Sequence, residues 1–131
     1  MTLEELRNAL VGPDFNSHLG FEVVDVHSDG ISVACDFTPQ LRNYAGVLHG
    51  GVTATLADAA VGIALTRHFG GRRGFTTAEL KINYMRPVKE GRIVARSHLL
   101  KVGTKLCVAS VEIRDAHDKI CAAALMSYMI L

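Results

Sequence analysis

The run from Gly50 to Thr66, GGVTATLADAAVGIALT, limits the fold of this chain more than any other segment, because Asp58 is its only charged residue. The run is long enough for a helix of about five turns, and the following Gly70-Gly71 is a typical helix end. We therefore predict a long helix from about Gly50 to His68. A helix that is apolar nearly all round must be covered on most sides. A curved sheet would cover one side, and a partner subunit is a candidate for the rest.

The carboxylate of Asp58 is costly in such a helix, since a buried ionised group without partners loses several kcal/mol of hydration. Burial alone leaves two interpretations open: a structural Asp held by hydrogen bonds within the fold, or a carboxylate kept for chemistry. At 3.6 residues per turn, Asp58 shares a stripe of small or polar residues with Gly51, Thr55 and Gly62. The adjacent stripe is apolar and suited to face a sheet; it consists of Val52, Leu56, Ala59 and Ile63. Asp58 is therefore expected to point away from the core, toward a ligand or a close helix neighbour.

The rest of the chain is predicted to be mostly strand, in one domain over residues 1–131. A short helix over Leu3–Leu10 is indicated by a capping box at Thr2 and Glu5, and Gly12-Pro13 ends it. Asp29-Gly30 is a hairpin signal. The predicted strands cover residues 21–26, 31–37, 75–85, 93–99, 106–113 and 120–130. Two strands, one helix and a meander of four strands predict an α+β fold with an antiparallel sheet.

Composition excludes several classes of function. The net charge is +1 with acids and bases interspersed, so neither a nucleic-acid nor a membrane partner is expected. The apolar run is too short for a membrane span, and the N-terminus does not resemble a signal peptide. The cysteines are an odd number, widely spaced, and predicted to be reduced: Cys35, Cys107 and Cys121. The histidines lack metal-ligand spacing, so no metal is expected. The protein is predicted to be soluble and cytoplasmic.

The start of the long helix is a candidate oxyanion site. Gly50 and Gly51 follow His49, and the unpaired N–H groups and positive dipole of a helix N-terminus stabilise negative oxygen. Gly51 and Asp58 are seven residues apart, which is about 10 Å along the axis. Both groups cannot serve one carbonyl carbon from the same helix. If they cooperate, Asp58 comes from a second chain in a two-fold dimer with two composite sites.

The segment Asn43–Gly51, NYAGVLHGG, followed by Asp58, resembles the hotdog-fold acyl-CoA thioesterases. It is most similar to the PaaI-type branch related to the 4-hydroxybenzoyl-CoA thioesterases. The single central helix, the strand order and the stretch Ile82–Pro87 fit the same family. The resemblance implies a hotdog fold, in which a curved antiparallel sheet wraps around one long central helix, and homodimers that assemble into a homotetramer.

The resemblance also implies roles for matching residues. The Gly51 N–H would bind the thioester carbonyl oxygen, His49 and Asn43 would orient or polarise the thioester, and Asp58 would be the base or the nucleophile. Thr77 matches a position near the attacking water, although it lies near a strand start and outside the face formed by Leu80 and Ile82. His49 is alternatively a helix cap and Asn43 alternatively a turn former.

The implied reaction is hydrolysis of an aryl or medium- to long-chain aliphatic acyl-CoA to a free acid and CoA, with no cofactor. Gly50 is a further candidate for substrate binding. Arg86, Lys101 and Lys105 lie at strand ends or turns and are candidates for the CoA phosphates. Two alternative functions stay open: a hotdog hydratase or dehydratase acting on a thioester, and a non-catalytic acyl-CoA-binding protein.

Overall fold

The structure, a computed structural model, describes residues 2–9 and 15–131 of the chain. Two short helices precede a hairpin, and one long helix separates this hairpin from four further strands. The elements are α1 (Leu3–Ala9), α2 (Phe15–His18), β1 (Glu22–His27), β2 (Gly30–Asp36), a 3₁₀ turn (Pro39–Leu41), α3 (Gly50–Phe69), β3 (Phe75–Tyr84), β4 (Arg92–Val102), β5 (Leu106–Arg114) and β6 (Ile120–Ile130).

The strands form one six-stranded antiparallel sheet in the order β1-β2-β4-β5-β6-β3. The α+β class is confirmed, but the meander of four strands is wrong. Of the last four strands, only β4, β5 and β6 lie side by side in chain order. The other side of β4 is already paired with β2. After α3 the chain therefore enters the sheet at the far edge, where β3 pairs with β6. As an edge strand, β3 carries unpaired backbone groups along one side.

Helix α3 lies in the curve of the sheet, mainly against β2 and β4. Its start at Gly50 and its end in left-handed Gly70 (φ 60°) agree with the predicted limits. The predicted apolar stripe is buried, and so are Ala57, Ala60 and Val61 beside it. Thr55, Asp58 and Gly62 are only half-buried. The small-residue stripe is thus the less covered side of α3. Among the described residues, no helix is long and apolar enough to cross a bilayer.

The capping box of α1 is confirmed. The Glu5 N–H donates to Thr2 Oγ1 (3.1 Å), and the Thr2 N–H donates to a Glu5 carboxylate oxygen (2.6 Å). The predicted end of this helix, at Leu10 and Gly12-Pro13, lies outside the described residues. Sequence patterns did not indicate α2, which is too short to show a helical period. The two helices place Leu6 and Phe15 beside α3.

The predicted hairpin is confirmed, but Gly30 serves a different purpose from the expected one. Ser28 and Asp29 form the turn, and Gly30 is already paired with His27 in the strand. Gly30 does not have a positive φ. A Cβ there would lie 1.9 Å from the backbone oxygen of Ser97 in β4. The glycine allows the hairpin to approach β4 closely, which a turn pattern does not reveal.

Candidate active site

Asp58 accepts hydrogen bonds from two hydroxyl groups of the sheet. Thr77 Oγ1 donates to Asp58 Oδ1 (2.7 Å), and the Tyr128 hydroxyl donates to the same oxygen. The Tyr128 hydroxyl also lies 2.8 Å from the backbone oxygen of Asp58. No donor from residues 2–9 or 15–131 bonds Oδ2. The carboxylate is therefore fixed through one oxygen, while the other is available for a ligand.

A β-bulge brings Thr77 to Asp58. The register between β3 and β6 pairs Thr77 with Tyr128 and Glu79 with Ser127, which leaves Ala78 as an extra residue. One extra residue reverses the alternation of side chains. Thr77 therefore joins the inward face of β3, so its expected position outside the face of Leu80 and Ile82 is wrong. The residue spacing gave no sign of the bulge.

Tyr128 was missed by the sequence analysis. It is 2% exposed, and its ring packs edge-on against Phe75 at 5.9 Å between centroids. Burial raises the pKa of Tyr128, and the hydrogen bond to Asp58 raises this pKa further, so the phenol stays a proton donor. Alternation in β6 with buried Met126 and Ala124 marks Tyr128 as inward-facing, and a buried tyrosine hydroxyl usually has a partner. That signal identifies a polar contact without identifying Asp58.

A cavity of about 570 Å³ opens beside Asp58, between α3 and the start of β3. Its walls are mixed, with apolar side chains beside several threonines, and both N-terminal helices contribute to them. Gly62 has no side chain to fill it; a Cβ there would only touch the Phe75 ring, at 3.7 Å. The residues that line it around Asp58 include Leu6, Phe15, Ile63, Phe75 and Thr77. The free carboxylate oxygen therefore lies beside an open cavity with a mixed lining.

The N-terminus of α3 forms a separate cluster. The Gly51 N–H donates to His49 Nδ1 (2.9 Å), so His49 caps the helix and its Nδ1 is unprotonated in this arrangement. The Tyr84 hydroxyl donates to the Gly50 backbone oxygen (2.6 Å), and its ring lies over Gly50. Both glycines and His49 are outside the cavity beside Asp58. Within one chain, the structure does not bring the two halves of the expected site together.

The remaining candidates are dispersed. Asn43 Oδ1 accepts the N–H groups of Ala45 (3.0 Å) and Val47 (3.3 Å), so this side chain organises the loop before α3. Arg86 lines a pocket with Gly50, close to the N-terminus of α3. Lys101 and Lys105 lie near the β4–β5 turn, at the opposite end of the sheet. The three cationic candidates for CoA binding therefore do not form one cluster in a single chain.

A curved antiparallel sheet around one long helix is the hotdog fold, and this helix carries a carboxylate with one oxygen free of donors from the described residues. The expected fold class is thus confirmed. The family model of the thioesterase superfamily matches residues 45–122, and the chain belongs to this superfamily. It is a thioester hydrolase.

Known proteins similar to this chain cover most of its length. The medium/long-chain acyl-CoA thioesterase YigI of Escherichia coli is 33% identical, over 88% of this chain and 84% of YigI. The crystal structure of thioesterase HI1161 from Haemophilus influenzae has a TM-score of 0.93 and 26% identity, and the match covers 100% of this chain and 91% of that one. The conserved protein PA5202 from Pseudomonas aeruginosa has a TM-score of 0.88 and 29% identity, over 95% and 98% of the two chains.

Proposed function

We propose that the protein hydrolyses acyl-CoA thioesters and that Asp58 carries the reaction. The observation that most supports this proposal is the arrangement of Asp58, with Oδ1 bonded to two hydroxyl groups and Oδ2 open beside a cavity. The similarity to the acyl-CoA thioesterase YigI supports CoA as the thiol. An aryl or a medium- to long-chain aliphatic acyl group is proposed, since Leu6, Ile63 and Phe75 offer apolar contacts in a cavity that also contains threonines.

Asp58 acts in one of two ways. As a general base, it removes a proton from water, the resulting hydroxide adds to the carbonyl carbon, and the C–S bond breaks with release of CoA thiolate. As a nucleophile, Oδ2 attacks the carbonyl carbon and expels the thiolate, and water then hydrolyses the mixed anhydride. Both routes give a free acid and CoA. Thr77 is proposed to help hold the carboxylate and the attacking water.

The Gly51 N–H is proposed as the donor to the thioester oxygen as negative charge develops on it. In the structure this N–H is bonded to His49 Nδ1, so binding of the thioester would replace that bond. His49 would then orient the thioester from the side, together with Asn43. Gly50 contributes to the same terminus, where the absence of side chains permits close approach of an oxygen.

The complete site requires two chains. Gly51 and Asp58 lie about 10 Å apart along one straight helix, whereas reacting groups must lie near 3 Å from one carbon. Edge strand β3 and the less covered side of α3 are neighbours, and an isologous contact through them would bring Gly51 of one chain toward Asp58 of the other. Each dimer would then contain two composite sites.

Several finer features belong to the same proposal. The whole chain acts as one cytoplasmic domain, and the dimers assemble into a homotetramer. Arg86 is a candidate for a CoA phosphate because it lies beside Gly50, at the end of α3 where the thioester would enter. Lys101 and Lys105 are candidates only for a CoA bound across subunits, since they lie at the other end of the sheet.

Thiol release from a panel of aliphatic and aromatic acyl-CoAs tests the proposal, with wild type assayed beside Asp58→Asn and Asp58→Ala. We expect wild type to release CoA thiol and both variants to lose at least about a thousandfold in kcat, because they lack the base or nucleophile. Circular dichroism and size-exclusion chromatography check that the variants keep the fold and assembly. Absence of thiol release from every substrate would refute hydrolysis of acyl-CoA, and wild-type rates in both variants would remove Asp58 from the mechanism.

A further inference from the structure

We propose that Tyr128 is a positioning residue for the reaction: its hydroxyl locks Asp58 so that Oδ2 faces the substrate. This inference rests on the proposed role of Asp58. The Tyr128 hydroxyl contacts Asp58 twice, at the carboxylate Oδ1 and at the backbone oxygen 2.8 Å away. Two contacts on one residue restrain both its main chain and the rotation of its carboxylate.

The phenol is held rigidly. Tyr128 lies within β6, which is paired on both sides, with Cys107 of β5 and Thr77 of β3 as its neighbours in register. Its side chain is 2% exposed and packs edge-on against Phe75. A tyrosine has only two side-chain torsions, so a buried ring in this setting has little freedom to move. The sheet therefore fixes the position of the donor.

Thr77 and Tyr128 act on the same oxygen from adjacent strands. They are cross-strand partners, and the bulge at Ala78 is what turns Thr77 toward Asp58. Thr77 is largely exposed, whereas Tyr128 is enclosed, so water competes with the threonine hydroxyl more than with the phenol. Loss of the phenol would let the carboxylate rotate and exchange its two oxygens. Tyr128 therefore governs how often Oδ2 is correctly aimed.

Tyr128→Phe tests this role because it removes the hydroxyl and keeps the ring that packs on Phe75. We expect kcat to fall by about 10- to 100-fold, the range associated with one hydrogen bond to a charged group, while KM stays within about threefold. A purely structural role would lower the melting temperature and leave kcat unchanged.

Ser97→Ala is the matched control. The Ser97 hydroxyl is also fully buried, and it donates from β4 to the backbone oxygen of Ala60 in α3 (2.9 Å) without contacting a carboxylate. We expect this variant to be less stable than wild type and to keep its kcat. A fall in kcat in Ser97→Ala equal to that in Tyr128→Phe would overturn the proposal, because loosening of α3 would then explain both.

Asp58→Asn distinguishes the proposed role of Asp58 from the proposed role of Tyr128. If Asp58→Asn keeps wild-type activity, the proposed role of Asp58 fails and the positioning role fails with it; if it is inactive while Tyr128→Phe keeps wild-type kcat, only the positioning role fails. The hydroxyl proton of Tyr128, observed by NMR in wild type and Asp58→Ala, gives a second measurement that does not depend on folding of Tyr128→Phe. We expect its resonance to shift when the carboxylate is removed. An unchanged resonance would contradict the proposal.

Discussion

The middle and the N-terminus of α3 hold their functional groups in opposite ways. At the middle, Asp58 is fixed by hydroxyls from β3 and β6, and one of its oxygens is left open beside a cavity. At the N-terminus, His49 accepts the Gly51 N–H, so the expected oxyanion donor is already paired with a residue two positions earlier in the chain. The sheet holds the middle of α3 ready for a ligand, while a local cap closes the N-terminus of α3.

This difference indicates how the site would operate. A carboxylate that must act on a carbonyl carbon benefits from being aimed in advance, because pre-organisation avoids reorganisation during the reaction. A backbone N–H can be protected by a side-chain cap until a thioester oxygen replaces that cap. In the proposed dimer, one subunit would therefore supply a fixed half of the site and the other subunit an exchangeable half.

Among residues at the N-terminus of α3, substitutions of Gly51 should lower kcat the most. Gly51→Pro removes the N–H, and the first turn tolerates proline because its N–H groups have no partner within the helix. We expect kcat to fall by about 100- to 1000-fold, as for loss of one oxyanion donor. Gly51→Ala keeps the N–H; its Cβ would lie 2.9 Å from His49 Nδ1, so we expect only the smaller loss of activity that follows from displacing His49. Steady-state kinetics in which both variants lose activity equally would show that the N–H is not the important group.

A smaller effect is expected at His49, where capping and catalysis can be separated. His49→Ala should lose about 1 kcal/mol of unfolding free energy together with activity, because alanine is a poor N-cap. His49→Asn supplies a favourable N-cap and should recover the stability while kcat/KM stays about tenfold low, since asparagine does not replace the imidazole. Chemical denaturation and thiol-release kinetics measure the two quantities. Full activity in His49→Asn would make His49 a cap and nothing more.

The same contrast explains what the sequence could predict. Features that depend on neighbours in the chain were predicted correctly: the limits of α3 and the capping box at Thr2 and Glu5. Features that depend on distant pairing did not show in the residue pattern, although the family resemblance placed Thr77 at the site. The contact between Tyr128 and Asp58 spans 70 residues, and that between Thr77 and Asp58 spans 19. No periodic pattern encodes either contact.

Two errors, and a role of Gly30 that the sequence did not indicate, have a common physical origin in the packing of the sheet. Strand β3 lies at the far edge because β2 already pairs with β4. Side-chain alternation does not indicate which strands pair. The bulge at Ala78 reverses the facing of Thr77 without any proline or glycine to mark it. A glycine is required at position 30 because the backbone of Ser97 lies so close, although the neighbouring residues indicated a turn. Residue types at a single position indicate local conformation better than they indicate the partner across the sheet.

Complementation between two inactive variants tests the shared site most directly. Asp58→Asn and Gly51→Pro are co-expressed, so that mixed dimers contain one site with an intact Gly51 N–H from one chain and an intact Asp58 from the other. Random pairing predicts that about a quarter of the wild-type rate returns, because half of the dimers are mixed and each has one complete site. Thiol release no greater than that of the two variants purified separately would contradict a site built from two chains.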